Sequence, residues 1–195
     1  MRSNILRHTD KVTRNNHKGV VLWFTGLSGA GKSTLASRLQ VELLQLKKQV
    51  YILDGDKIRR GLSKDLSFTV SDRIENMRRV AECANLFLDA GFIVIVSLIS
   101  PYEQGRKIVQ EILSNAYHLI YIRSSLDICK KRDVKGLYKK ALFNEIENFT
   151  GISDQYQIPN SPSLVVDTTN NNSPYALSIF LNLKSSFMEI GRAHV

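Results

Sequence analysis

The chain has 195 residues, is 43% hydrophobic and carries a formal charge of +9, from 27 Lys and Arg against 18 Asp and Glu. That length supports one sizeable buried core and leaves little for a second, so a single domain over 1–195 is expected. Its two cysteines, Cys83 and Cys129, lack CxxC spacing, which argues against a disulfide framework and a cysteine metal site. The opening MRSNILRHTDKV has no signal-peptide apolar region, and no run approaches the ~20 apolar residues of a membrane span, so a soluble, cytoplasmic protein is expected. Three kinds of partner compete for the positive charge: nucleic acid, an anionic membrane and small polyanions. The charge recurs in KIRR, NMRR, CKKRD and KGLYKK rather than in one tail. Solvated basic faces would give this pattern, and so would a domain that handles two nucleotides without nucleic acid or membrane.

In chain order, short apolar runs rich in β-branched and aromatic residues occur at 20–24, 50–53, 92–99, 117–122 and 163–167, separated by helix-length segments. This alternation predicts an α/β fold: a doubly wound, five-stranded parallel sheet flanked by helices. The polar TTNNNS at 168–173 precedes a last amphipathic segment. The terminal EIGRAHV, residues 189–195, has neither periodicity nor capping logic. It matches the translation of a common sequencing adapter and is read as adapter-derived.

The first apolar run leads directly into GLSGAGKS and then a helical pattern, the context in which GxxxxGK[ST] binds phosphate. Gly26, Gly29 and Gly31 permit torsions that wrap amide N–H groups around phosphate oxygens, assisted by the positive end of the following helix. Leu27, Ser28, Ala30 and Thr34 complete the expected ATP-binding loop. Lys32 is placed to reach the β- and γ-phosphates, and Ser33 to meet Mg²⁺. A guanine-reading NKxD is absent. The second run ends in LDGDKIRRGL, which delivers Asp54 and Asp56 to the carboxyl edge of the sheet. There they can hold Mg²⁺, here assigned to Asp54 with Ser33, and accept a proton, here assigned to Asp56. A capping Asp followed by a turn Asp would give the same string.

Next comes DLSFTVSDRIENMRRVAECANLFLDAGFIVIVSLISPY, followed by RDVKGLYKKA and FTG. With the phosphate loop and DGDKIRRGL, this succession resembles the adenylylsulfate (APS) kinase family over roughly residues 4–167. The resemblance implies a P-loop kinase fold with a helical lid at about 123–151. It also implies transfer of the γ-phosphoryl group of ATP to APS with Mg²⁺, in sulfate assimilation, by a homodimer. Wound as a helix from Ser71, the chain turns Ile74, Met77, Ala81, Ala84 and Leu88 toward the sheet, and sweeps Arg73, Asn76 and Arg79 over the adjoining arc. That arc, joined by Arg59, presents guanidinium groups to a phosphosulfate, and Phe68 is placed to stack on its adenine. By resemblance Arg132 lies against the adenine of ATP, Lys135, Gly136 and Leu137 contact APS, and Phe149 covers the second base. Gly136 and Gly151 are the candidate lid hinges. Ser100, in ISP, is grouped with Lys32 and Asp56 as catalytic, with positioning preferred to a phosphoserine intermediate. The chain departs from the family at KALFNEI, where Leu142 replaces an arginine, and at GISDQYQIP, where Gln155 and Gln157 replace Pro and Glu. Two alternatives stand beside this reading: another small-molecule P-loop kinase, and a weakly catalytic nucleotide-binding module.

Overall fold

The computed structural model describes residues 8–169; the last amphipathic segment and the 189–195 stretch lie outside the described residues. Five strands form one sheet in the order β2-β3-β1-β4-β5, with every neighbouring pair parallel. They are β1 Val20–Thr25, β2 Val50–Asp54, β3 Ile93–Ser97, β4 Tyr117–Arg123 and β5 Leu164–Asp167, each within a residue or two of its apolar run. All of β1 and β3 is buried, as strands covered on both faces must be, which is why these segments are continuously apolar.

Alternation along β1 sends Val20, Leu22 and Phe24 to one face and Val21 and Trp23 to the other. The first face packs on Leu35, Leu39 and Leu43 of α2 (Lys32–Gln45). The second packs on α4 (Val70–Asp89) and α5 (Glu103–Leu113). Thr69 caps α4, its hydroxyl accepting from Asp72 N at 3.2 Å. On α4 the buried stripe is wider than its helical period suggests. Met77, Ala81 and Ala84 are buried, but so are Val80, Arg73 and Asn76, whereas Ile74 and Leu88 are only partly covered. The cause is that α4 packs on α5 as well as on the sheet. At that contact Gly105 has no Cβ, and one built there would sit 2.7 Å from Met77 Sδ.

After β4 the chain forms α6 (Leu126–Arg132) and α7 (Leu137–Leu142), within the stretch where a lid is expected. Its underside is apolar and joined to the α2 face of the core through Cys129, Tyr138, Ala141 and Phe149. Gly136 and Gly151 both adopt positive φ, at 65° and 93°. Among the described residues no helix is long and apolar enough to cross a membrane.

Candidate active site

The carboxyl ends of the strands converge on one cavity of about 970 Å³, at the upper end of the size usual for ligand pockets. The residues expected to bind or react line it, apart from Arg79, and from Gly26, Leu27, Ala30 and Gly136, whose places are in the phosphate loop and at the start of α7.

The phosphate loop runs from β1 into α2, with Gly26, Gly29 and Gly31 all at positive φ. A Cβ on Gly26 would lie 2.4 Å from Ile122 O, and one on Gly29 2.9 Å from Cys129 O, so both positions need glycine for space as well as torsion. Each loop carbonyl from Gly26 to Ala30 accepts from a side chain. Lys32 Nζ donates to Gly26 O and Leu27 O, both at 2.8 Å. Tyr138 Oη donates to Ser28 O at 2.9 Å, Arg132 Nη1 to Gly29 O at 3.4 Å, and Thr168 Oγ1 to Ala30 O at 2.8 Å. A trans peptide holds its C=O and N–H on opposite sides, so the Ser28 carbonyl, bonded to a tyrosine off the cavity lining, leaves the Gly29 amide facing the other way. Burial lowers the pKa of the Lys32 ammonium to about 8, with the Lys135 charge acting in the same direction and the neighbouring acidic groups, Asp54 and Asp56 among them, against it.

Asp54 serves two purposes. One carboxylate oxygen caps α3 (Gly55–Arg60) by accepting from Asp56 N at 3.1 Å, and the other accepts from Ser33 Oγ at 3.0 Å. The capping reading of DGD is therefore correct for Asp54, and the carboxylate still meets the phosphate-loop serine. Ser97, at the end of β3, brings its hydroxyl within 3.2 Å of Ser33 Oγ. Asp56 is exposed on the cavity rim and takes an ion pair from Lys135, between α6 and α7. Among the described residues no group of three or more His, Cys, Asp or Glu side chains could hold a metal ion. The hard oxygens of Ser33 and Asp54 nevertheless fit Mg²⁺, which usually takes one or two carboxylates and fills its sphere with phosphate and water.

At the other end of the cavity, the guanidinium carbons of Arg59 and Arg73 lie 4.6 and 5.2 Å from the Phe68 ring centroid. Phe68 remains half exposed. Arg73 is buried and bonded through Nε to Phe68 O at 3.0 Å and through Nη2 to Asn148 O at 2.6 Å, with Asp154 3.8 Å away. Burial, and for Arg59 also the charge of Arg73, lowers both guanidinium pKa values. Two cations crowded together create a strong demand for an anion. Asn76 Oδ1 is buried without a protein partner.

Arg79 departs from the expected arc. It pairs bidentately with Asp65 at 2.7 and 2.8 Å and with Glu75 at 2.9 Å, away from the cavity lining. A helical wheel places a cation on an arc without showing that the loop after α3 brings Asp65 there. Ser100 does line the cavity, but its Oγ accepts from the indole of Trp23 at 2.8 Å, and its carbonyl accepts from buried Arg106 at 2.8 Å. Leu142, where the resemblance implied arginine, is exposed and off the cavity lining, whereas Gln157 Oε1 accepts from Glu103 N at the start of α5. Tyr138, Ser97 and Thr168 escaped the sequence reading. KGLY had pointed at Tyr138's neighbours, but no local signal marked the other two.

A glycine-rich loop shaped for phosphate between β1 and α2, a lysine at its end and carboxylates at the tip of β2 define a P-loop phosphotransferase. Comparison with known proteins narrows the class. The family model for adenylylsulphate kinase matches residues 18–167. An adenylyl-sulfate kinase of Oceanobacillus iheyensis is 49% identical over 168 residues, covering 86% of this chain and 84% of its own. Among solved structures, the Mycobacterium tuberculosis APS kinase in complex with AMPPNP and APS superposes with a TM-score of 0.82 at 38% identity, covering 86% of this chain and 98% of that one. A hexameric APS kinase from Thiobacillus denitrificans superposes with a TM-score of 0.63 at 29% identity, covering 87% of this chain and 29% of that one. The chain belongs to the adenylylsulphate kinase family, and it is an ATP-dependent kinase.

Proposed function

We propose that this chain moves the γ-phosphoryl group of ATP to the 3′-hydroxyl of adenosine 5′-phosphosulfate, releasing ADP and 3′-phosphoadenylylsulfate. One observation carries the reading: a single cavity joins the phosphate loop to the Arg59–Phe68–Arg73–Asn76 cluster, with Asp54 and Asp56 between them. That layout accommodates two nucleotides with their reacting groups facing each other. The loop amides and Lys32 hold the phosphates of the donor. Arg59 and Arg73 hold the phosphosulfate, and Phe68 supports the acceptor's adenine.

Asp56 receives the proton of the attacking hydroxyl as the new O–P bond forms and the bond to the leaving ADP oxygen breaks. Lys135 orients that carboxylate from the lid. Ser33 and Asp54 are the residues that would hold Mg²⁺, which when bound neutralises charge on the phosphate oxygens. Catalysis is then positioning and electrostatics, with no covalent intermediate on the protein.

The test is Mg²⁺-dependent ADP release with APS set against a panel of hydroxylated acceptors, sugars and nucleosides included. Release is expected with APS alone. Lys32→Ala, checked for folding by circular dichroism, should abolish it. Equal turnover of a sugar acceptor would move the chain to another class of small-molecule kinase.

A further inference from the structure

Five consecutive carbonyls of the phosphate loop each accept from a side chain, but these ties are not equivalent. Lys32, Arg132 and Thr168 all line the cavity, where a bound polyphosphate competes for their donors. Tyr138 does not line it; the residue is buried, with its hydroxyl on Ser28 O at 2.9 Å. Its ring meets Phe149 edge-on at 5.0 Å and 80°, which limits the rotation that could carry the hydroxyl away. The backbone beneath it is fixed as well: Asp133 accepts from Tyr138 N at 3.0 Å and Lys139 N at 3.1 Å, closing the first turn of α7 onto the end of α6.

We propose that Tyr138 is a positioning residue for the donor site: from the lid, its hydroxyl holds the Ser28–Gly29 peptide with the carbonyl out and the Gly29 amide turned toward the phosphates. The assignment rests on the donor half of the proposed function. Gly29 sits at φ 74°, a conformation open to glycine in several forms, so its peptide plane needs an external tie. Among the side chains that tie the loop, Tyr138 alone is absent from the cavity lining, so a bound polyphosphate does not compete directly for its donor. The loop is thereby set before ATP arrives, and less ordering remains to be done on binding.

Tyr138→Phe removes the hydroxyl and keeps the ring against Phe149. Two measurements on the full chain decide the matter, and neither needs an acceptor. Titration with the ATP analogue AMPPNP and Mg²⁺ should show affinity weakened by about two- to tenfold, the usual worth of one hydrogen bond. Hydrogen–deuterium exchange of the ligand-free chain should be faster in the peptide spanning 26–33 and unchanged along β3. Wild-type AMPPNP affinity together with wild-type exchange would overturn the proposal. So would a lowered melting temperature with AMPPNP affinity intact, because that marks packing alone. Failure of the wild-type chain to turn over APS would remove the acceptor reading, while the AMPPNP arm would still judge Tyr138 separately.

Discussion

Ser100→Ala separates a nucleophile from a structural hydroxyl. The Ser100 oxygen accepts from Trp23 Nε1 at 2.8 Å in a fully buried setting, so deleting it leaves an indole N–H without its partner, at a cost of about 1–3 kcal/mol. For a chain of this size that lowers the melting temperature by about 2–4 °C per kcal/mol. Ser100 also sits at φ 49°, held there by Arg106 and Thr25 on its carbonyl. Ser100→Gly loses the same oxygen but is relieved of a left-handed backbone worth about 1–2 kcal/mol, against an unfolded-state entropy cost of about 0.5–1 kcal/mol. The glycine variant should therefore melt above the alanine variant, and both below wild type. Scanning calorimetry reads the order, and ADP release in the presence of APS reads the chemistry. Both variants should keep measurable turnover, since removing an obligatory nucleophile leaves no route to product. An alanine variant with wild-type stability and no turnover would refute the reasoning, as would radiolabelled phosphoserine at 100 that chases into product.

What could be read in the sequence follows from how local each cause is. The five strands were legible because a parallel sheet covered on both faces demands unbroken apolar runs, and the phosphate loop because its torsions demand glycine at fixed spacing. Side-chain direction was less accessible. Arg73 and Arg79 lie six residues apart on α4, yet one is buried in the cavity wall and the other pairs with Asp65 on a loop whose path only the fold decides. Tyr138 meets Ser28 across 110 residues, and Ser100 meets Trp23 across 77. Such pairs depend on which strands are neighbours and on where the lid comes down, and a linear pattern contains neither. Thr168 illustrates the same limit: in a string of polar residues it resembles loop filler, but the end of β5 brings it to the phosphate loop.

Phe68→Ala should weaken APS by about 1–3 kcal/mol, with base stacking as the guide, and leave AMPPNP binding nearly intact. Arg73→Ala should weaken APS with a salt dependence that Phe68→Ala lacks; in calorimetric titration, equal losses for both ligands would mean that the two ends of the cavity are exchanged. Leu142→Arg, at a site 59% exposed and off the cavity, should change stability by no more than about 0.5 kcal/mol and leave kcat near wild type. A several-fold rise in kcat would show that the lid carries this position to the phosphates. Finally, His17 should make the fold sensitive to mild acid. Its Nε2 accepts from Gln49 N at 3.1 Å, so the proton belongs on Nδ1, which donates to Lys18 O at 3.0 Å. Burial, and to a lesser degree the charge of Lys48, lowers its pKa below the usual value. The unfolded chain therefore binds a proton at about pH 6.5 while the folded chain still refuses it. The contribution of His17 is complete above that pH and is lost as pH falls from there toward the folded pKa. His118, lowered by burial as well, acts in the same direction, so the wild-type chain alone cannot assign the effect. His17→Gln keeps an acceptor for Gln49 N without a titrating group. Urea midpoints at pH 7.5 and 5.5, two values chosen to bracket about 6.5, should differ less in this variant than in wild type; an equal drop in both would clear His17 of the role.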